Sequence, residues 1–429
     1  MDFSKAFDTI PRDILFQKLL QNNINGVFFN NIKKMYMGDE MCVRIGDEIT
    51  EYFDINQGVR QGDILSPLLF NIFMSDFNEY IKEAEGKLEL NASKSLNALI
   101  WADDILLLSH SKEGMDQILE ILSTFCIKNR LTLNTDKTKC MVFNRTGKII
   151  RKPFYYRGNL LETVKSYKYL GFTVTPSGAI TSGLSDLRDR ALKAWYKVRN
   201  KLGVHFNKYT DQINVIFHNL IQPILLYCSD FWGCLKPPKS NPIELFFNMF
   251  NRQILGVHKK TTTIGVLLEL GKTPIHLVAV KFAIKNWERI KQNSGNELLC
   301  LSYKDAIEHS LLWVTSIKGV LTNNGMSTFF TQIPPDNKYF IHKRLHQVLV
   351  DNFHQNAFSE IQRPDCKLKY YSTFKTVYGT EMYLNKVNNT KHRIALSRFR
   401  LSCHKLNIEL GRYTQGRTIL PRLSQCSRR

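Results

Sequence analysis

Two adjacent carboxylates, Asp103 and Asp104, interrupt the apolar run Ile100-Trp101-Ala102-Asp103-Asp104-Ile105-Leu106-Leu107-Leu108. The residues on both sides favour strands, which predicts a buried β-hairpin with the acidic pair at its turn. Like charges side by side there repel, and each is costly to desolvate alone. A hard divalent cation such as Mg²⁺ removes that conflict, because it takes carboxylate oxygens. For the tetrapeptide alone, a solvated Asp-Asp turn between two strands is an equally good reading, and the rest of the chain has to decide.

At 429 residues the chain has room for two or three domains, each with its own core. Lys and Arg outnumber Asp and Glu by 59 to 38, a net charge of +21. The surplus is spread along the chain, which suits a polyanionic partner, nucleic acid first and an anionic membrane surface second; a basic protein of unrelated role fits the charge as well. The nine cysteines form no CxxC pair and have no regular spacing, as expected of reduced thiols in a cytosolic or nuclear protein. No apolar run reaches the ~18 residues of a membrane span, and Met1-Asp2-Phe3-Ser4-Lys5 lacks signal-peptide design.

Along the chain, Pro11 suits the first turn of a helix with Ile14, Leu15, Leu19 and Leu20 on its apolar face. A second helix follows Gly26, with Phe28, Phe29, Ile32, Met35 and Tyr36 on one side. Cys42–Ile45 and Tyr52–Ile55 read as strands around a turn at Gly46-Asp47. In Gln57-Gly58-Val59-Arg60-Gln61-Gly62-Asp63, two glycines let backbone approach a ligand closely. Ser66 and Pro67 then read as N-cap and N1 of an amphipathic helix carrying Leu68, Leu69, Ile72, Phe73 and Phe77. A helix over 113–129 leads to the alternating run Lys137–Phe143 and a hairpin ending at Tyr167–Val174. Strands and helices mix in this part as in an α+β domain. Beyond Gly178 the pattern is helical, with segments near 183–202, 210–229, 242–256 and 275–292, broken by Pro237-Pro238 and Pro274. This predicts a boundary near 178 and a further break at Ser294-Gly295 or Pro334-Pro335. Residues 335–429 are rich in Lys, Arg, His and Tyr.

Five segments together resemble the motifs of reverse transcriptases, in the order and spacing of LINE-type (non-LTR) retrotransposon polymerases. Asp2-Phe3-Ser4-Lys5-Ala6-Phe7-Asp8 is similar to motif A, and Gly58–Asp63 with Ser66-Pro67 to motif B. Ala102-Asp103-Asp104 resembles motif C, Leu133–Phe143 motif D, and Tyr169-Leu170-Gly171 motif E. The resemblance implies a right-hand polymerase: a palm over 1–178 without its fingers, an all-α thumb over 179–294, and a basic α-rich region over 295–429. It implies an RNA-directed DNA polymerase that joins a dNTP to a primer 3′-hydroxyl on an RNA template. Two metal ions, Mg²⁺ with Mn²⁺ as the alternative, would be held by Asp2, Asp103 and Asp104. Phe7 would exclude a 2′-hydroxyl, though a core Phe reads nearly as well. Arg60, Gln61 and Gly62 would meet the incoming nucleotide and template, with an ordinary exposed arginine as the other reading of Arg60. Lys137 or Lys139 would stand near the leaving pyrophosphate; a solvated strand edge is the plainer reading of either. Tyr169, Leu170 and Gly171 would form the primer grip. RNA template, DNA primer or target DNA, and dNTPs are the implied partners, in the nucleus or cytoplasm.

The chain also departs from that pattern. Trp101 stands where the family has Phe or Tyr, and its indole N–H needs a partner if buried. Only Met1 precedes Asp2, so a 5′-truncated element or an incomplete gene model is expected, with Asp2 on a frayed terminus. Phe399–Ser402 and Ile408–Tyr413 look like the approach to a Cys/His knuckle, but only Cys426 follows, and no bound zinc is expected. The alternative function is a catalytically inactive remnant that only binds nucleic acid.

Overall fold

The computed structural model describes residues 1–404 apart from 83, 91–93, 204–209, 237–239, 293–294, 333–339 and 369. The Pro237-Pro238 and Pro334-Pro335 breaks, Ser294, Ile408–Tyr413 and Cys426 lie outside the described residues. The fold mixes α and β and divides into two compact units. The first is Met1–Tyr167 with Thr175–Gly178; the second is Lys168–Val174 with Ala179 onward.

In the first unit the helices Arg12–Gln21 and Ser66–Phe73 pack together, and Lys112–Lys128 packs on Phe77–Ile81 and on the strand Phe154–Tyr156. Their apolar faces meet in a core of Leu15, Leu19, Phe70, Phe73, Phe77, Ile118 and Phe125. Phe77 and Phe125 meet edge to face at 4.9 Å. Ser111 caps the long helix by accepting from the Gly114 N–H. The helix Gly26–Tyr36 buries only Ile32 and Tyr36; Phe28 and Met35, read as part of its apolar side, are exposed. Ser66 is not the N-cap but the first helical residue, and its buried hydroxyl donates to the Arg60 carbonyl. The Gly46-Asp47 turn joins Arg44–Ile45 to Glu48–Ile49, and Glu40–Met41 pairs with Phe53–Asp54 further along the same exposed ribbon. Of the run Lys137–Phe143 only Lys139–Cys140 is strand, parallel to Asn159–Thr163.

In the second unit, Thr181–Leu202 packs on Pro242–Leu255, burying Trp195 against Phe250, which stacks on Phe217 at 4.2 Å. The predicted helix over 210–229 is interrupted: Thr210–Ile216 passes through a π-helical turn, Phe217–Ile221, into Gln222–Leu225. Pro223 supplies the reason, since it lacks an N–H and its ring crowds the carbonyl four residues back. Ile275–Gln292 packs on Ser229–Trp232 and on Ile341–Gln362.

Within this unit the Lys272 ammonium sits over the rings of Phe217, Phe247 and Phe250 and donates to Asn214 Oδ1 (2.7 Å) and Asn251 Oδ1 (2.8 Å). Burial pulls its pKa down to about 7 from 10.5. The folded state therefore binds this proton less tightly than the unfolded chain does. Stability from this group is full above 10.5, declines as pH falls toward 7, and is flat below. Urea unfolding of wild type and Lys272→Met across that window should give a difference that grows as pH falls. A pH-independent difference would show that the ammonium stays charged.

Candidate active site

Met1–Ser4 runs between two other segments. On one side the Met1 nitrogen donates to the Ile105 carbonyl at 2.7 Å. On the other, Phe3 bridges Leu133, the Ser4 N–H donates to Thr132, and the Asn134 N–H donates to the Asp2 carbonyl. The Asp2 N–H meets the buried Thr138 hydroxyl at 3.3 Å. The expected frayed terminus is thus held on both edges, because extended backbone presents donors and acceptors to two neighbours at once.

The acidic pair closes a hairpin of Ala98–Trp101 with Asp104–Leu107, Trp101 opposite Asp104. Ala102 takes the left-handed conformation (φ 53°), which costs an L-residue roughly 1–2 kcal/mol. The hairpin is half-buried rather than buried: Ala98 and Ile105 point into the core, while Trp101 is 68% exposed, so its indole N–H is free to meet water. Asp104 is the first residue of the returning strand. Burial, then the Asp103 carboxylate, raises its pKa above the usual carboxylate range; Asp2 adds to this and the Met1 ammonium opposes it. The Tyr167 phenol is pushed up by burial and then by Asp104 and Asp2. Asp2, Asp104 and Tyr167 therefore share one field. Asp2 Oδ2 is buried and accepts no hydrogen bond among the described residues. The Lys137 ammonium lies 3.4 Å from it as an ion pair, while Lys139 turns to Glu162 at 2.6 Å.

An under-bonded buried oxygen and a carboxylate disfavoured as an anion suit a hard cation with oxygen ligands. Asp2 and Asp104 fit it, with Asp103 at the turn beside them. Among the described residues no three His, Cys, Asp or Glu side chains are gathered closely enough to enclose an ion alone.

The second group forms around the glycine loop. Gly58 and Val59 N–H groups donate to Ile10 and Phe7 carbonyls at 2.8 Å each. A Cβ on Gly58 would stand 2.5 Å from the Asp8 carbonyl oxygen, and its φ is +83°, so only glycine fits. The half-buried Phe7 ring stacks on Phe70 at 5.0 Å. The exposed Gln61 amide donates to Asp8 Oδ1 at 3.1 Å, and Gly62 (φ +89°) stands in open space. Arg60 is neither loose nor free for phosphate: its guanidinium binds Asp39 (2.8 Å) and the Met35 carbonyl (2.9 Å).

Sequence reasoning missed the support of this loop. Buried Arg12 donates to the carbonyls of Gly58 (3.0 Å), Tyr36 and Ile55 (2.6 Å) and to Asp39 (3.1 Å). The Arg60 and Arg12 guanidiniums hold the Asp39 carboxyl below its usual range, Arg60 most. The available signal was an arginine at the first position of a helix, where the dipole disfavours a cation.

Tyr169-Leu170-Gly171 belongs to the second unit's packing. Leu170 (φ 44°) and Gly171 (φ 83°) form the turn before Phe172–Val174, as a two-residue hairpin with both φ positive requires. The Tyr227 hydroxyl donates to the Leu170 carbonyl and Arg190 to that of Gly171 at 2.9 Å.

Residues 1–174 match the reverse transcriptase (RNA-dependent DNA polymerase) family. The chain is 26% identical over 234 residues to a retrovirus-related Pol polyprotein from the type-2 retrotransposable element R2DM of Drosophila melanogaster, covering 51% of this chain and 22% of that protein. It is 25% identical over 265 residues to a probable RNA-directed DNA polymerase from transposon BS of the same species (59% and 28%). Against an RNA-directed DNA polymerase from mobile element jockey of Drosophila funebris it is 28% identical over 272 residues (60% and 28%). The chain thus spans about a quarter of the length of these curated relatives. Over residues 1–174 the chain is thus similar to the reverse transcriptases, and the relatives it matches come from mobile elements.

Proposed function

We propose that the chain is an RNA-directed DNA polymerase, extending a DNA primer or target-DNA 3′ end with dNTPs on an RNA template. The observation that carries this reading is the shared field of Asp2 and Asp104 around an under-bonded buried oxygen, inside a domain that matches the reverse transcriptases. Two divalent cations, Mg²⁺ or Mn²⁺, would supply charge neutralisation to the attacking and leaving oxygens of an in-line displacement. Asp2, Asp103 and Asp104 would hold them, and the backbone pairing on both edges of Met1–Ser4 fixes Asp2 for that task. Lys137 would turn from Asp2 toward the leaving pyrophosphate. The Phe7 ring offers a 2′-hydroxyl no partner, which favours a deoxyribose. Gln61 and Gly62 present a polar amide and open backbone to nucleotide and template, while Arg60 holds the loop through Asp39. Tyr169, Leu170 and Gly171 would grip the primer end. In this reading residues 1–178 are a palm, 179–294 a helical thumb and 295–429 a basic region.

The second reading, an inactive chain that binds nucleic acid, is favoured by the Lys137 ammonium 3.4 Å from Asp2 Oδ2, where a cation would have to sit. Primer extension on an RNA template with Mg²⁺ and dNTPs separates the two. Asp103→Ala should lower extension by more than about 10²-fold, the scale of one lost electrostatic group at a reacting centre. Extension that is unchanged in this variant would sink the polymerase reading.

A further inference from the structure

A cavity of about 560 Å³ lies in the second unit. One wall is the loop Lys259-Lys260-Thr261-Thr262 between the helices Pro242–Leu255 and Thr263–Glu269. The other is the end of Ile341–Gln362 and the turn after it, with Arg363 and Lys367. Arg252 shapes the loop from beneath. Its guanidinium donates twice to the Thr261 carbonyl (3.0 and 2.9 Å) and once to Thr263 Oγ1 (2.7 Å).

Two features of this cleft lack an internal explanation. Lys259, Lys260, Arg363 and Lys367 are exposed, and among the described residues none of them is ion-paired, although Glu360 and Asp365 line the same cleft. Thr261 is 5% exposed, and among the described residues its hydroxyl has no hydrogen-bond partner. A buried hydroxyl without a partner costs about 1–3 kcal/mol, and four cations around one cleft repel one another. An anionic phosphate oxygen cures both, accepting a hydrogen bond from the hydroxyl and neutralising the cations.

We infer that this cleft binds a phosphate of a nucleic-acid strand, with Lys259, Lys260, Arg363 and Lys367 as counter-charges and the Thr261 hydroxyl as donor. The inference rests on the reading that the chain handles nucleic acid, and it adds an anchoring point separate from the carboxylates. Phosphate carries no base identity, so the contact is indifferent to sequence.

The test measures binding of a short unstructured labelled RNA across a salt series, using the full chain. Lys259→Ala/Lys260→Ala should weaken binding at every sequence and make the slope of log affinity against log salt shallower by about 1 per lysine removed. Thr261→Val should lower affinity about two- to tenfold while leaving the melting temperature of the free protein unchanged or higher, since it removes an unsatisfied group. Wild-type slope and affinity in both variants would overturn the inference. So would inorganic phosphate raising the wild-type melting temperature while the variants bind RNA normally, which would assign the cleft to small phosphates. A wild-type chain that fails to extend a primer, yet shows these binding losses, would overturn the polymerase reading and leave the cleft standing.

Discussion

Arg12→Met should destabilise the first unit by about 3–5 kcal/mol, the scale of removing one partner from a buried charge pair. The guanidinium is the common acceptor-filling group for three carbonyls, those of Gly58, Tyr36 and Ile55, and for Asp39. A methionine matches much of its volume but leaves three buried carbonyls and one carboxylate short of donors. Asp39 would keep Arg60, which is half-exposed, so the residual pair recovers little. The loss should reach the loop as well as the core. Gly58 approaches the Asp8 backbone so closely that the two segments move together, and Gln61 reaches Asp8 from the same loop. Chemical denaturation should therefore show the lower unfolding free energy, and primer extension measured well below the new melting temperature should still fall. Full extension at that temperature would mean that the loop's position does not depend on Arg12. The companion pH effect has a definite sign: Asp39, with its folded pKa depressed, adds stability above its unfolded value that is lost as pH falls through the folded one.

The contrast between Arg12 and the acidic pair shows what a sequence can reveal. Asp103 and Asp104 stand out because an apolar strand pattern surrounds them, and the hairpin is where that pattern puts it. The helices Arg12–Gln21 and Gly26–Tyr36 were legible from apolar spacing with Pro11 and Gly26 at their starts, and a helix over 113–129 was placed where Lys112–Lys128 lies. Arg12 was not, because its partners lie 24 to 46 residues away and no local pattern connects them. Lys272 hides for the same reason: its aromatic cage is assembled from two helical segments earlier in the chain. Burial of a helix face was legible only in part. Spacing alone cannot say that Phe28 and Met35 face water, since that depends on how far the neighbouring elements extend. The pairing of Met1–Ser4 on both edges was also invisible, because its partners lie far along the chain and no local pattern connects them.

Asp104→Asn should separate stability from activity, raising the first and lowering the second. In the wild type, burial and the neighbouring Asp103 and Asp2 carboxylates disfavour the ionised form. The folded pKa is raised, so the folded state binds the proton more tightly than the unfolded chain. The cost of ionisation is absent at low pH, grows as pH rises past the unfolded value, and is complete above the folded one. The amide cannot ionise, so its advantage should be about 0.5 kcal/mol at neutral pH, the scale of a relieved like-charge neighbour, and should vanish in acid. Mg²⁺ acts in the same direction on the two proteins but to different extents. It should stabilise the wild type by binding between its carboxylates, and stabilise the variant less. Primer extension should fall by about 10²-fold or more with the loss of that carboxylate. Thermal unfolding with and without Mg²⁺, run beside the extension assay, reads all three effects. A variant that is more stable and equally active would remove Asp104 from the site and leave Asp2 and Asp103 as its carboxylates. A variant that is less stable would mean that the Met1 ammonium, which opposes the shift, outweighs the repulsion from Asp103 and Asp2 in the folded protein.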